Sequence, residues 1–448
     1  MNNIKYSFLF PLFCLMGLAE GLAQNISDTY SQLGIGRPER VVQAEQMGMG
    51  GLSTAIITTD GLNFYNPASY SFLKNVVLNF GGEAQFTQLT NNKANANKST
   101  AFLNQFSIGV PIKIRKHSMG LAFGYVPYTQ AGYSFSSMDT VRTPEDTVAV
   151  ELNYLGRGGL DRIYLGLASK IYKGLSVGIN GSFYFGSLIT QQNAISENEG
   201  FLNSSFERNV RITDFSFDAG LQYTDTIKTL DSIGRISQNP WFVTAGAHYS
   251  FGNKLRTKTT ILAQYFTVAD LSTTPFLIDT LLYKSRSATQ IPSSISAGFS
   301  FGRINKFLIG TEFQYKRWQD FRYGNGSAEP LFSDSYTAIM GAQISPNKEK
   351  GFFNKLYYRL GARYGTSYLS PNSKQFTEFG ISFGVGFPIL YGTMLRDEFN
   401  RPITSMLNIG VEYGGQLHPD PSITRQNVWR LVVSFNIRDR KFLSYKFK

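Results

Sequence analysis

From residue 75 onward the chain alternates. Val76, Leu78, Phe80, Ala84 and Phe86 line one face of the first segment, and Asn79, Gly81, Glu83 and Gln85 line the other. Phe379, Ile381, Phe383, Val385 and Phe387 interleave with Gly380, Ser382, Gly384 and Gly386. Trp429, Leu431, Val433, Phe435 and Ile437 interleave with Arg430, Val432, Ser434 and Asn436. Segments near 163–171, 175–185, 295–301, 307–315, 356–364 and 407–413 behave alike. Successive strand side chains point to opposite sides, so each segment has one greasy face and one polar or glycine-rich face. Past the first two dozen residues no apolar run is long enough for a membrane-spanning helix.

Two architectures use such strands. A sandwich buries the greasy faces against each other. A transmembrane barrel turns them to lipid and fills its lumen with polar and small residues. Three features select the barrel. The chain carries an export signal, described below. Glu312, Arg359, Arg363, Glu412 and Arg430 sit mid-strand on polar faces, where a lumen solvates them. Tight turns at 114–117, 172–175 and 302–306 alternate with long polar stretches near 131–159, 188–208, 267–289 and 317–333, read as outer loops. Fifteen candidate strands can be drawn, but a bacterial single-chain barrel has an even number. Merging 240–251 and 255–266 into one strand bent at Gly252-Asn253 gives fourteen. A further strand within 139–156, giving sixteen, is the alternative. The expected fold is all-β: a transmembrane antiparallel β-barrel of about 14 strands over 75–438.

The first residues read as an address. Lys5 precedes an apolar run over 6–18, and Gly21-Leu22-Ala23 supplies small residues where a signal peptidase cuts. Residues 1–23 are expected to be a signal peptide, directing the chain to the Gram-negative outer membrane. The single cysteine, Cys14, falls inside it, so the mature chain has no cysteine for disulfides or metal binding. The formal charge of +12 raises nucleic acid as a partner. In an exported barrel that charge is instead shared among lumen arginines, turns and the basic tail 439–448, beside the anionic head groups of outer-membrane lipid and lipopolysaccharide. No nucleic-acid partner is expected, and the barrel is expected to be monomeric.

Residues 24–74 do not alternate. They contain Met47-Gly48-Met49-Gly50-Gly51, then Asn63-Phe64-Tyr65-Asn66-Pro67-Ala68. Glycine permits tight turns, and Pro67 keeps Asn66 out of the helical region. Such a compact segment can pack into the lumen as a plug. This glycine run and Asn66-Pro67-Ala68, followed by an alternating first strand, resemble the FadL family of outer-membrane transporters for long-chain fatty acids and other hydrophobic compounds. The resemblance implies that 24–74 is the hatch, carrying Gly50, Gly51, Asn66, Pro67 and Ala68. It implies passive uptake from an outer-loop groove into a lumen pocket, with exit through a gap in the third strand. Here Gly124 and Pro127 mark that lateral portal, since proline removes a ladder donor; the other reading is that Pro127 only ends the ladder. By loop order the groove corresponds to 188–208 and 267–289, with Phe201, Phe206, Phe276, Leu277, Ile278, Leu281 and Leu282 as its apolar wall. Arg359, Arg363, Arg430 and His248 are the polar lumen residues, available to an anionic head group, to a solvated network or to the hatch.

Catalytic chemistry is not written in the chain. His117, His248 and His418 lack a second ligand or nucleophile at a diagnostic spacing. No enzyme activity, cofactor or metal site is expected. Two rival readings remain: a FadL-like barrel serving as a protein partner or shuttle in a secretion system of type IX kind, and, behind it, an outer-membrane lipid hydrolase built on His248.

Overall fold

The computed structural model describes residues 29–57, 61–92, 95–114, 117–142, 147–196, 202–227, 240–266, 277–304, 306–346, 351–389 and 405–439. The expected signal peptide, Phe201, Phe276 and the tail beyond residue 439 lie outside them. The wall begins with β1 (Val76–Thr90), β2 (Asn95–Ile114), β3 (His117–Arg142), β4 (Thr147–Tyr172), β5 (Leu175–Ile195) and β6 (Asn203–Ile227). Two broken strands follow. They are β7 (Trp241–Ser250 and Lys254–Phe266) and β8 (Leu277–Gln290 and Ser294–Arg303). The circuit finishes with β9 (Phe307–Lys316), β10 (Ser335–Ile344), β11 (Tyr357–Thr366), β12 (Thr377–Ile389), β13 (Ser405–Leu417) and β14 (Arg425–Asp439). Each strand pairs antiparallel with its neighbours, and β14 closes on β1 from Arg425↔Thr90 to Asp439↔Val76.

The expected fourteen strands stand, and the bend at Gly252-Asn253 is the break in β7. The long polar stretches are a correction. Residues 131–142 and 147–159 extend β3 and β4 as one hairpin, and 277–290 is strand rather than loop. Above the lipid neither face of a strand has to be greasy. Thr190-Gln191-Gln192-Asn193 therefore carries no period-2 signal although it is paired with β4 throughout. The outward faces are apolar. On β6 Phe215, Phe217, Leu221 and Tyr223 are all exposed, as lipid-facing side chains must be.

Inside the barrel runs the segment from Thr29 to Leu73. A single turn of helix, Ala44–Met47, packs against β12, β13 and β14. A 3-10 helix, Pro67–Phe72, lies against β3, β4, β5 and β6. Met47, Leu52 and Leu62 are almost fully buried, each worth about 1.5–3 kcal/mol. The wall admits this segment because it is stripped of side chains where the backbone passes. A Cβ on Gly120 would stand 2.0 Å from the Tyr70 carbonyl oxygen, and one on Gly178 2.5 Å from the Pro67 carbonyl carbon. At Gly246 it would meet the Thr54 oxygen at 2.1 Å, and at Gly361 the Gly50 nitrogen at 2.0 Å. These glycines lie on β3, β5, β7 and β11, so the close approach runs round the wall.

Gly361→Val is therefore expected to unseat the inner segment. Cells carrying it should become sensitive to bulky antibiotics, while Gly181→Val, whose Cβ makes only ordinary contacts on the lipid face, should leave permeability unchanged.

Candidate functional site: a fastened hatch under a split wall

The inner segment is held by its own backbone. Wall side chains supply the partners that its irregular chain lacks. Glu312 on β9 accepts the Ser53 and Thr54 N–H groups, both at 2.7 Å, and the Ser53 hydroxyl at 3.1 Å. Asn104 on β2 donates to the Val42 oxygen at 2.8 Å, and Asn180 on β5 to the Phe64 oxygen at 3.2 Å. Ser176 donates to the Ala68 oxygen at 2.8 Å, and Asn436 to Glu45 at 2.8 Å. Burial pushes the Glu45 carboxyl above its ordinary range.

The expected hatch residues fall at two points of this inner segment, Asn66-Pro67-Ala68 against β5 and β6 and Gly50-Gly51 by β11 and β12. The Asn66 side chain accepts from the Ala68 N–H at 3.1 Å, capping the 3-10 helix, and donates to the Thr54 oxygen at 2.6 Å and the Leu221 oxygen on β6 at 3.3 Å. Pro67 occupies the first helical turn, where a missing N–H costs nothing. Gly50 and Gly51 both take positive φ, +74° and +94°, and the Gly50 N–H donates to Ser382 on β12 at 2.8 Å.

Charge ties the same segment to the opposite wall. Arg40 pairs with buried Glu412 on β13. Arg363 on β11 bonds Glu412 at 3.1 Å and Glu378 at 3.5 Å. Burial, and Arg363 beside it, bring the Arg40 guanidinium down to about 10, so it keeps its charge at neutral pH. Arg359 donates to Gln343 at 2.7 Å and Asn408 at 2.9 Å, and Arg430 lies 3.9 Å from Glu83. Arg363 thus shares Glu412 with Arg40 of the inner segment, Arg359 lies beside Gly48 of that segment while bonding wall residues, and Arg430 faces Glu83 on β1.

A cavity of about 220 Å³ remains above the hatch. Arg37, Arg40, Arg162, Lys316, Arg363 and Arg430 line it against Glu39, Asp218, Glu378 and Glu412, so cations outnumber carboxylates. His248 lines it too, with the apolar surfaces of Phe64, Tyr128, Tyr184 and Pro127. Its roof is aromatic. Trp318, Phe321, Phe332, Tyr368 and Phe376, from the connections after β9 and β11, pack in one buried cluster with Tyr30, Leu33 and Ile35. Trp318 stacks on Tyr368 at 4.4 Å, and Tyr30 meets Phe376 edge-on at 5.4 Å.

The wall beside the cavity is split. Pairing of β2 with β3 runs from Ile114↔His117 only to Phe106↔Tyr125. Higher up, β2 pairs with β1 alone. Pro127 stands just above the last pair, at a bulge in the β3–β4 register, and lines the cavity. The vacated edge of β3 is taken by the hatch: Arg37↔Gln130 and Pro38↔Thr129 pair, and the Glu39 N–H donates to the Tyr128 oxygen at 2.9 Å. Gly124 stays in the ladder below the split, where a Cβ would be 2.7 Å from the Tyr164 ring.

Of the expected groove residues, Phe201 and Phe276 lie outside the described residues, and the other five lie on strands. Phe206, Leu277, Ile278 and Leu281 are exposed and Leu282 is half-buried, all on the continuous β6–β7–β8 sheet. Arg40, Arg162, Lys316 and the aromatic roof were not singled out by sequence reasoning. Only the unusual Arg162, inside an alternating strand, carried a signal.

Glu412→Gln leaves two arginines without their buried carboxylate. It is expected to lower stability by about 3 kcal/mol in unfolding from detergent, against under about 0.5 kcal/mol for exposed Asp139→Asn.

Known proteins bear on this architecture. A family model described as BamG matches residues 4–448. The P. putida toluene transporter TodX superposes with a TM-score of 0.56 at 14% identity, over 90% of this chain and 99% of that one. The Ralstonia pickettii toluene transporter TbuX gives 0.51 at 14% over 89% and 98%, and a Pseudomonas aeruginosa FadL homologue 0.53 at 13% over 90% and 98%. These likenesses establish the fold as that of a FadL-like outer-membrane barrel. No curated protein matches the chain.

Proposed function

The chain belongs to the BamG family, and we propose that it is an outer-membrane channel for passive uptake of hydrophobic or amphipathic small molecules, released sideways through the wall. The observation that carries this reading is the split between β2 and β3 at Pro127, which borders the lumen cavity; Arg37, Pro38 and Glu39 pair with the vacated edge of β3, and the hatch from Arg40 onward fills the barrel below. The solved toluene transporters share the fold. The excess of cations favours a molecule with an anionic head, such as a long-chain fatty acid. Lys316 faces the cavity with no ion-pair partner among the described residues, and a carboxylate there would form a charge-assisted hydrogen bond. A cavity of about 220 Å³ is smaller than the roughly 300–1,000 Å³ of drug-sized sites. It suits a head group, with the chain lying in the split. Each buried CH₂ there would add about 0.8 kcal/mol. Entry requires the aromatic roof to lift.

That roof also favours a second reading, a barrel used as a protein partner. The upper parts of β3 to β8 rise as an exposed sheet. Above its break β8 pairs with β7, and on its other side makes only the Gln290–Arg322 bridge among the described residues. A free strand edge accepts another chain.

Uptake of labelled fatty acid and of an aromatic hydrocarbon, by cells with and without the protein, separates the two. The channel reading expects faster uptake with the protein, loss on Pro127→Val, and about tenfold weaker fatty-acid binding on Lys316→Ala. Equal rates for every compound, with another protein retained through purification, would establish the partner reading instead.

A further inference from the structure

On the outward face of the broken strands lies a row of like charges. Arg211 on β6 is the register partner of Lys258 on β7, and Lys258 is the register partner of Arg286 on β8. All three are exposed, and none has a hydrogen-bond or ion-pair partner among the described residues. Their direction is fixed by their neighbours. Ile212 and Leu255 are fully buried in the aromatic roof, and Thr257 and Thr289 are buried beside it, so the alternate positions face out. Lys254 and Arg256 lie just below on the same face. The nearby carboxylate, Asp214, is already held by Arg256 at 3.2 Å. Glu207 is the next one up β6, about 13 Å from Arg211 along the strand.

Like charges directly opposite across strands are destabilising. Three in one row, without a carboxylate between them, call for an external polyanion. Their height says which. Below Arg211 the outward face of β6 carries Phe215, Phe217, Leu221 and Tyr223, all exposed. From Phe215 to Tyr223 is about 27 Å of strand, close to the roughly 25 Å apolar band of such barrels once tilt is allowed for. The row therefore stands where head groups begin, at the lower end of the free edge of β8, where Arg286 is only four residues above the break. We propose that Arg211, Lys258 and Arg286 form a binding site for the phosphorylated head group of an outer-leaflet lipid. Arginine forks match phosphate oxygens in pairs, and the lipid's chains would lie down the aromatic face beneath. The inference rests on the outer-membrane placement and is independent of uptake.

Native mass spectrometry of the full chain in neutral detergent, with bisphosphorylated lipid A as probe, tests it. The wild type is expected to retain the lipid, and R211Q/K258Q/R286Q to bind it at least tenfold more weakly. The heat-modifiable gel mobility of a folded barrel should be unchanged, and the lower-rim variant K306Q/K355Q should bind normally. Dephosphorylated lipid A should bind as weakly to the wild type as the probe does to the triple variant, and equimolar inorganic phosphate should not displace the probe. Equal binding with and without phosphate, undiminished binding by the triple variant, or displacement by free phosphate would overturn the proposal. So would a photo-crosslinker at position 258 that captures protein rather than lipid in cells.

Discussion

A barrel that shows lipid a greasy face has a polar one left over, and the polar groups of the lumen must find partners. In this chain much of that demand is met by the backbone of the N-terminal segment. An irregular chain has unpaired N–H and C=O groups, and a polar wall has carboxylates and amides. Each completes the other. Glu312 holding Ser53 and Thr54, and Glu412 shared between Arg40 and Arg363, are the strongest instances. Removing one member strands a charge away from water, so the hatch and the wall stand together.

Seating comes from absence as much as from contact. Where the wall presents glycine, the inner backbone comes close enough for wall side chains to reach its carbonyls. Where aromatic side chains project inward, at Trp318, Phe321 and Phe332, they close the mouth instead. The two ends are thus shut by different means, and the interrupted stretch of wall at Pro127, beside the cavity, becomes the place to look for passage. At that stretch the hatch itself replaces the missing ladder partner of β3.

The membrane-embedded wall was legible because lipid imposes a period of two on every strand. Val76 to Phe86, Phe379 to Phe387 and Trp429 to Ile437 read directly as strands. The bend at Gly252 was legible from parity and loop order. What failed was the reading of polar stretches as loops, since strands such as 188–195 and 277–290 leave the membrane and lose the imposed pattern. Asn66-Pro67-Ala68 was visible as a motif in which proline keeps Asn66 out of the helical region, but the cap that Asn66 makes and its bonds to Thr54 and Leu221 appear only in the packed structure. Pro127 was visible, but its position at the end of β2–β3 pairing depends on register, which no local motif encodes. Arg40 and Lys316 acquire meaning only from what faces them across the lumen.

On the proposed reading the hatch stays fastened and traffic passes beside it through the wall. Two hydroxyl pairs join hatch to wall, Thr54 with Ser296 at 2.8 Å and Ser71 with Ser176 at 2.7 Å, and the sole cysteine lies in the expected signal peptide. Cysteines at both pairs allow the hatch to be locked by oxidation in living cells. Uptake of labelled fatty acid is predicted to be the same in the oxidised and reduced states. Uptake abolished by oxidation and restored by reduction would contradict the account, because the hatch would then have to move for anything to pass.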